Sequence, residues 1–375
     1  MALFVILTLS ASCVLLAVHL ASLVLAVPRL RQSGQFSAPP LDAPRITLLR
    51  PFKGLEYRLD ETLGSSLMLD YPNYQVLFCV DDAEDPAVPH VRQLIAKHPD
   101  IDAQILIGRD PVSHNPKINN LMKGWRAADG IYVAMADSNI VLPRDYLSQM
   151  LGRWDAQTGL VSSPAAGVDP QGFGGALECA FLNGYQARWQ IAGDQVGLGY
   201  AQGKTLFWNR AFLESAGGPA VLGHSIAEDA QSTKLVRAAG LKVRLARRPL
   251  PQPVGARRVA TVWNRQLRWA IIRRVAFPGL FLGEPLTSGA VPLLLFAAGA
   301  VASDLPLALI FGYAALWYGA EWALTRLAGW PAAIRILAAS LLRDAMIPVL
   351  WALAWTRNSF DWQGHEVGAT EKDAR

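Results

Sequence analysis

Ile131–Ala136 reads IYVAMA and runs directly into Asp137-Ser138-Asn139; Gln75–Val80 reads QVLFCV and runs into Asp81-Asp82. Each is a short apolar run closed by polar residues and rich in β-branched and aromatic side chains, the pattern of a buried strand. Around them the spacing turns helical, at Tyr57–Leu69, Val91–Lys97 and Lys117–Ala128. Two further strand runs stand at Ile46–Leu49, before Arg50-Pro51, and at Ile105–Ile107. Strands alternating with helices predict an α/β domain with a mostly parallel sheet. Ligands of such sheets bind at the carboxyl ends of the strands. The two runs deliver Asp82 and Asp137 there, at equivalent edges of what the pattern makes neighbouring strands. Further along the pattern is less regular, with helices expected at Gly174–Ile191 and Glu228–Ala239 and strands at Gly203–Trp208 and Leu241–Leu245.

Outward from this domain, assigned to residues 44–256, the chain becomes polar and then apolar. Residues 28–43 form a linker whose core, QSGQFSAPPLDA, is rich in Ser, Pro and Gly. Ahead of it, Ala2–Val27 is apolar with His19 as its one interruption, and about 20 such residues span a bilayer. It lacks the charged start and shorter core of a signal peptide, so residues 1–27 read as an uncleaved anchor. Arg29 and Arg31 follow it and place that end, with the α/β domain, in the cytoplasm. Beyond residue 256 comes a basic amphipathic region, 257–283, in which six arginines alternate with Val262, Trp263, Leu267, Trp269, Ile271 and Ile272. Arginine mixed with tryptophan suits a membrane interface; an ordinary surface helix is the competing reading. Residues 284–356 carry three apolar stretches, at 286–302, 305–324 and 333–355, read as transmembrane helices, and 357–375 form a tail. The last stretch holds Arg335, Arg343 and Asp344, which inside a span must pair or face a protein interior.

Composition agrees with this multi-pass layout. Of 375 residues 52% are hydrophobic and the mean hydropathy is +0.22, too apolar for a soluble enzyme and too polar for a pure transporter. The net charge of +5 fits the positive-inside bias. Its arginines sit beside apolar segments with no run tracking a groove, so no nucleic-acid partner is expected. Cys13, Cys79 and Cys179 have no CxxC neighbour, which points to reduced, buried thiols. The six histidines show no zinc-binding spacing. The Ala-, Leu- and Arg-rich composition has a bacterial character, so the expected compartment is a bacterial inner membrane.

The acidic residues carry the chemistry. Either Asp82 or Asp137 alone is an ordinary turn or cap aspartate. Together they suggest a nucleotide site with a metal: one carboxylate for ribose or base, the other for a divalent cation bridging a diphosphate. Ser225-Ile226-Ala227-Glu228 matches a helix capping box. That leaves Asp229 in the first turn of a helix, where a carboxylate can take a proton from an attacking hydroxyl. In Arg265-Gln266-Leu267-Arg268-Trp269, Arg268 suits a diphosphate, which guanidinium matches bidentately, and Trp269 would flank the acceptor.

The ordered set D…DSN…ED…RxxRW resembles the D, D, D, (Q/R)xxRW signature of family 2-like glycosyltransferases. Its wording is closer still to the ceramide glucosyltransferases of family 21. The similar stretches are RPFKGLE (50–56), CVDDAEDPA (79–87), NPKINNLM (115–122), ADSNI (136–140), AGG (216–218), AEDA (227–230) and RQLRW (265–269), within residues 46–285. The resemblance implies a GT-A nucleotide-sugar-binding fold with N- and C-terminal transmembrane helices. It also implies inverting transfer of glucose from UDP-glucose to the primary hydroxyl of ceramide. On it, Asp229 is the base. Asp82, Lys53, Lys117, Arg265 and Arg268 bind the donor, and Glu228 and Trp269 line the acceptor. Asp137 and Asn139 hold Mg²⁺ or Mn²⁺. The pattern departs at Gln186, near which animal members have histidine, at Asn139, where an acid is usual, and in the tail, D-W-Q-G-H. Another lipid acceptor, such as a hopanoid or diacylglycerol, or another UDP-sugar keeps the same chemistry. A polysaccharide synthase usually needs more spans. A non-catalytic sugar-nucleotide or lipid-binding membrane protein is the alternative of another class, and the intact acidic set argues against it.

Overall fold

The computed structural model describes residues 1–32, 35–357, 359–362 and 365–368. The linker's Ser33 and Gly34, and Asn358, Gln363, Gly364 and 369–375 of the tail, lie outside the described residues. The chain divides into two units. A sheet unit comprises Gln32–Ala166 and Gly193–Pro253; a helical unit comprises Met1–Arg31, Gly167–Ala192 and Val254–Arg375.

After α1 (Ala2–Arg31), the sheet unit runs β1 (Ile46–Pro51), α2 (Leu59–Gly64), β2 (Tyr74–Val80), α3 (Val88–Ala96), β3 (Asp102–Ile107), α4 (Pro116–Ala127), β4 (Tyr132–Ala136), α5 (Tyr146–Leu151) and β5 (Thr158–Ser162). The chain passes through β6 (Ala165–Gln171), α6 (Gly172–Cys179), a π-helical stretch (Ala180–Ala187) and α7 (Arg188–Gln195). It returns as β7 (Thr205–Asn209), α8 (Arg210–Ser215), α9 (Glu228–Ala238), β8 (Lys242–Leu245) and β9 (Leu250–Ala256).

The seven-stranded sheet has the order β3-β2-β1-β4-β7-β5-β8. It is parallel except at β7, which is antiparallel to β4 and β5. β2 and β4 are therefore not neighbours, as their sequences suggested; both pair with β1. Their carboxyl ends lie two strand spacings apart, roughly 10 Å. Side chains alternate between two helical layers. Leu48, Phe78 and Ala134 join the core with Leu59, Val91 and Tyr146. Leu49, Leu77 and Met135 join the other, with Ile118, Leu213 and Val236. Burial on both faces is why β2 is apolar at every position from Val76 to Val80.

The helical unit continues with α10 (Val259–Ala276), α11 (Pro278–Leu282), α12 (Ala290–Ala302), α13 (Leu307–Leu327) and α14 (Ile334–Thr356). α1, α13 and α14 are long and apolar enough to cross a membrane. α12 is not: its 13 residues rise about 20 Å, short of the roughly 30 Å of a hydrocarbon core. The apolar run from 286 is broken because residues Glu284–Thr287 form a 3₁₀ turn and the helix starts only after Gly289. α12 packs against α1 and α13. The charges expected to need partners have them. Arg343 binds Glu321 through both terminal nitrogens, at 2.6 and 3.0 Å, and Asp344 through Nε, at 2.8 Å. Asp344 accepts the Gly289 N–H at 2.8 Å, which also fixes the start of α12. Arg188 donates to His19 Nδ1 and Ser22 Oγ, both at 2.8 Å.

Candidate active site

The site forms where α4, β4, β7 and α9 of the sheet unit converge. Asn115 caps α4, its Oδ1 accepting the Lys117 and Ile118 N–H groups, with Pro116 in the first turn. The cap fixes Lys117, whose ammonium donates to Asp137 Oδ1 at 2.6 Å, Glu228 Oε1 at 2.7 Å and the Gly203 carbonyl at 2.7 Å. Three donors meet three acceptors. Asn115 Nδ2 donates to the other oxygen of Glu228, at 3.2 Å. The N-P-K motif thus holds Glu228 by both carboxylate oxygens.

Glu228 is consequently not a capping residue. The expected capping box does not form: α9 begins without a side-chain cap, and Ser225 Oγ accepts only the Ala227 N–H. An ammonium and an amide outcompete a backbone N–H for the carboxylate, since charge-assisted bonds are the stronger.

Asp137 ends β4 with its carboxylate between two ammonium groups, Lys117 on Oδ1 and Lys204 on Oδ2 at 3.2 Å. Burial works to raise its pKa, but Lys117 and then Lys204 outweigh it and hold the carboxyl down at about 2. Burial likewise opposes the charge of Lys117, and Asp137 and Glu228 reverse the sign, holding Lys117 above the ordinary lysine range. Lys204 also donates to Asn139 Oδ1 at 2.9 Å. Ser138, between them, donates to Glu56 Oε2 at 2.6 Å and ties this turn to the loop after β1.

Asp229 differs from its neighbours. Among the described residues its carboxylate takes backbone N–H groups alone, from Gly203 at 3.0 Å and Ala230 at 2.7 Å. Burial, then the charge of Glu228, push its pKa up to about 6. The Gly203 peptide links the two halves of the site, its N–H on Asp229 and its carbonyl on Lys117. A Cβ at Gly203 would stand 2.9 Å from Glu228 Oε1, so a side chain there would push that carboxylate off Lys117.

Asp82 is exposed in the loop after β2 and accepts the Glu84 N–H at 3.0 Å. Lys53 is exposed in the loop after β1. Both lie at the carboxyl edge, outside the Lys117 hydrogen-bond cluster. The R-x-x-R-W residues belong to the helical unit, on α10, which packs on α6 and α14. There Arg265 pairs with the buried Glu178, Gln266 accepts from Gln186 at 3.2 Å, and Arg268 and Trp269 are half-buried. The basic stretch is engaged further: Arg273 binds Glu284 at 2.5 and 2.8 Å, and Arg274 reaches the Arg357 carbonyl at 3.0 Å.

Lys204, Asn115 and Glu56 belong to the site and escaped the sequence reading. Lys204 opens a strand as Gly-Lys-Thr, which reads as a solvated end. The signal for Asn115 was its place before Pro116, an N-cap pattern ahead of a helix.

The oxygens of Asp137 and Asn139 suit a hard divalent cation, and they already converge on one cation, the Lys204 ammonium. Among the described residues no three His, Cys, Asp or Glu side chains cluster as a metal cage. Mg²⁺ and Mn²⁺ at phosphate sites take one or two protein oxygens and complete their shell with phosphate and water, so the pair fits.

A mostly parallel sheet covered on both faces, with carboxylates at the strand ends, is the architecture of the GT-A nucleotide-sugar glycosyltransferases. The fold is similar to that of a mannosyltransferase from Pyrobaculum calidifontis, solved with GDP-Man and Mn²⁺. The match has a TM-score of 0.51 and 19% identity, over 90% of this chain and 99% of that one. The chain belongs to glycosyl transferase family 21, whose pattern residues 13–374 match. It is 31% identical over 293 residues to ceramide glucosyltransferase 1 of Caenorhabditis elegans, covering 76% of this chain. It is 28% identical over 245 residues to ceramide glucosyltransferase 3 of the same organism, covering 65%. The alignments span 61% and 53% of those relatives' own length.

Proposed function

We propose that this chain transfers a sugar from a nucleotide diphosphate donor to a lipid hydroxyl, with glucose from UDP-glucose and the primary hydroxyl of ceramide as donor and acceptor. The observation that carries the reaction type is the contrast between adjacent carboxylates. Glu228 is paired with the Lys117 ammonium and hydrogen-bonded by Asn115, whereas among the described residues Asp229 is oriented by backbone N–H groups alone. A carboxylate whose pKa is raised toward neutrality is a competent general base.

In the reaction Asp229 takes the proton of the acceptor hydroxyl. That oxygen forms a bond to the anomeric carbon from the face opposite the diphosphate, and the bond from that carbon to the diphosphate oxygen breaks, inverting the configuration. Asp137 and Asn139 would hold Mg²⁺ or Mn²⁺, which when bound would supply positive charge against the departing diphosphate. Lys117 keeps Asp137 ionised and holds both Asp137 and Glu228 in place. Asp82 and Lys53, in the loops at the strand ends, bind the donor on this reading, and Glu228 lies toward the acceptor. Arg265, Arg268 and Trp269 enter on their motif alone.

Glucose and ceramide rest on the names of the family relatives and on the quoted motifs. Incubating the purified protein with a panel of UDP-sugars and lipid acceptors, ceramide, diacylglycerol and a hopanoid among them, and weighing the products by mass spectrometry tests both. Glucosylceramide is the expected product. A product on another lipid would replace the acceptor and leave the chemistry, and no transfer from any donor would remove the enzymatic reading.

A further inference from the structure

Resting on that metal reading, we propose that Lys204 is a placeholder for the divalent cation, occupying its position until a metal and a nucleotide enter together. The ammonium lies 3.2 Å from Asp137 Oδ2 and 2.9 Å from Asn139 Oδ1. These are the two oxygens assigned to the metal, so ammonium and metal cannot hold them at once.

The two lysines of the site are built differently. Lys117 has all three N–H bonds committed and is tethered at the capped start of α4. It also binds the opposite oxygen of Asp137, so it can stay when a cation arrives. Lys204 precedes β7, and its ammonium reaches Asp137 and Asn139 on a flexible four-carbon stem. A lysine is a mobile point charge, able to leave without breaking a planar bidentate fit.

Charge balance explains why a placeholder is needed. Asp137 is largely enclosed, and with Glu228 it shares a single Lys117; without Lys204 these two carboxylates would face one ammonium in a poorly solvated site. A metal alone must displace the Lys204 ammonium from Asp137, its carboxylate partner, and brings no anion in exchange. A metal arriving with a nucleotide diphosphate brings that anion, and the displaced ammonium can move to the phosphate oxygens. Metal and nucleotide binding are therefore positively coupled through Lys204, and the coupling is reciprocal.

The test uses the full-length protein in detergent and reads Mn²⁺ binding from the loss of the free-ion electron paramagnetic resonance signal, with and without UDP. Lys204→Met should bind Mn²⁺ without nucleotide about tenfold more tightly than the parent, within the usual span of coupling energies. UDP should then add less to Mn²⁺ affinity in the variant than in the parent. Lys204→Arg keeps the charge and should bind Mn²⁺ alone as weakly as the parent, which separates charge from fold damage. Unchanged or weaker Mn²⁺ binding by a folded Lys204→Met, with the parent still binding Mn²⁺ and UDP, overturns the placeholder and leaves the metal site standing. No Mn²⁺ binding by the parent even with UDP overturns both.

Discussion

Lys117 and Glu228 stand 111 positions apart in sequence, and their side chains meet at 2.7 Å. The same ammonium binds Asp137, so one lysine bridges two largely enclosed carboxylates. Replacing Lys117 by Met should lower stability by about 3 kcal/mol, the low end for breaking a buried ion pair, because the three groups keep some contact with water. Thermal unfolding of the parent and variant measures it. An unchanged melting temperature would show that the carboxylates find other partners.

Asp229→Asn should leave folding and UDP binding intact and lower turnover by roughly 10²–10⁴, the usual worth of a positioned base. Its Gly203 and Ala230 contacts survive in part, since an amide oxygen still accepts. Near-normal transfer by this variant would falsify the assignment of Asp229.

The pH profile follows from the same residue. Its pKa is raised to about 6, and a base works only when ionised. kcat/KM should therefore be level above that value and fall with decreasing pH below it, approaching tenfold per unit. The residual activity of Asp229→Asn should lack this acid limb. A limb that persists in the variant belongs to another group.

Asp137→Ala should abolish metal-supported donor binding, because the diphosphate loses its counter-charge. Chelation with EDTA should silence the parent, and Mg²⁺ or Mn²⁺ should restore it. Calorimetry of UDP binding with and without metal gives a readout independent of transfer. Full activity in chelator would remove the metal from the reading.

Arg29 and Arg31 close the last turn of α1 and the arginines of α10 precede the later apolar helices, so the sheet unit should face the cytoplasm. A topology reporter inserted after residue 40 should score as cytoplasmic. A signal from the opposite side would reverse the orientation of every span.

Much of the fold was legible, for identifiable reasons. β2 and β4 show as unbroken apolar runs because both faces of the sheet are covered. Thr158–Ser162 did not show, since TGLVS is five residues with a glycine in it, too short for any periodicity. The reversal of β7 was invisible as well, because side-chain alternation reports burial and carries no strand direction. In the site, Asp137 and Asp229 stood out as acids after an apolar run and at a helix start. The capping box at Ser225–Glu228 does not form because Ser-x-x-Glu is a local pattern, while the partners of Glu228 come from Asn115 and Lys117 at the start of α4. The arginines of α10 read as a membrane-facing surface. Within it Arg265 binds Glu178 and Arg273 binds Glu284, pairings the sequence did not show, since an acid placed 87 residues away leaves no mark beside the arginine it pairs with.

The division of the chain has a consequence for how it is made. The sheet unit is complete once residue 253 has emerged, whereas the helical unit draws on residues 1–31, 167–192 and 254–375. α1 must therefore wait through most of synthesis before α12 and α13, against which it packs, exist. His19 has no Trp317 carbonyl to bond, and Glu321 has no Arg343 to neutralise it, until translation is nearly finished. The sheet unit can be native while the apolar helices are still an open set, so synthesis halted before residue 334 would leave a chain with a folded sheet unit and a carboxylate stranded among apolar helices. Quality control that recognises unpaired charge within the bilayer would find its target in Glu321, and the last helix to be made is the one that hides it.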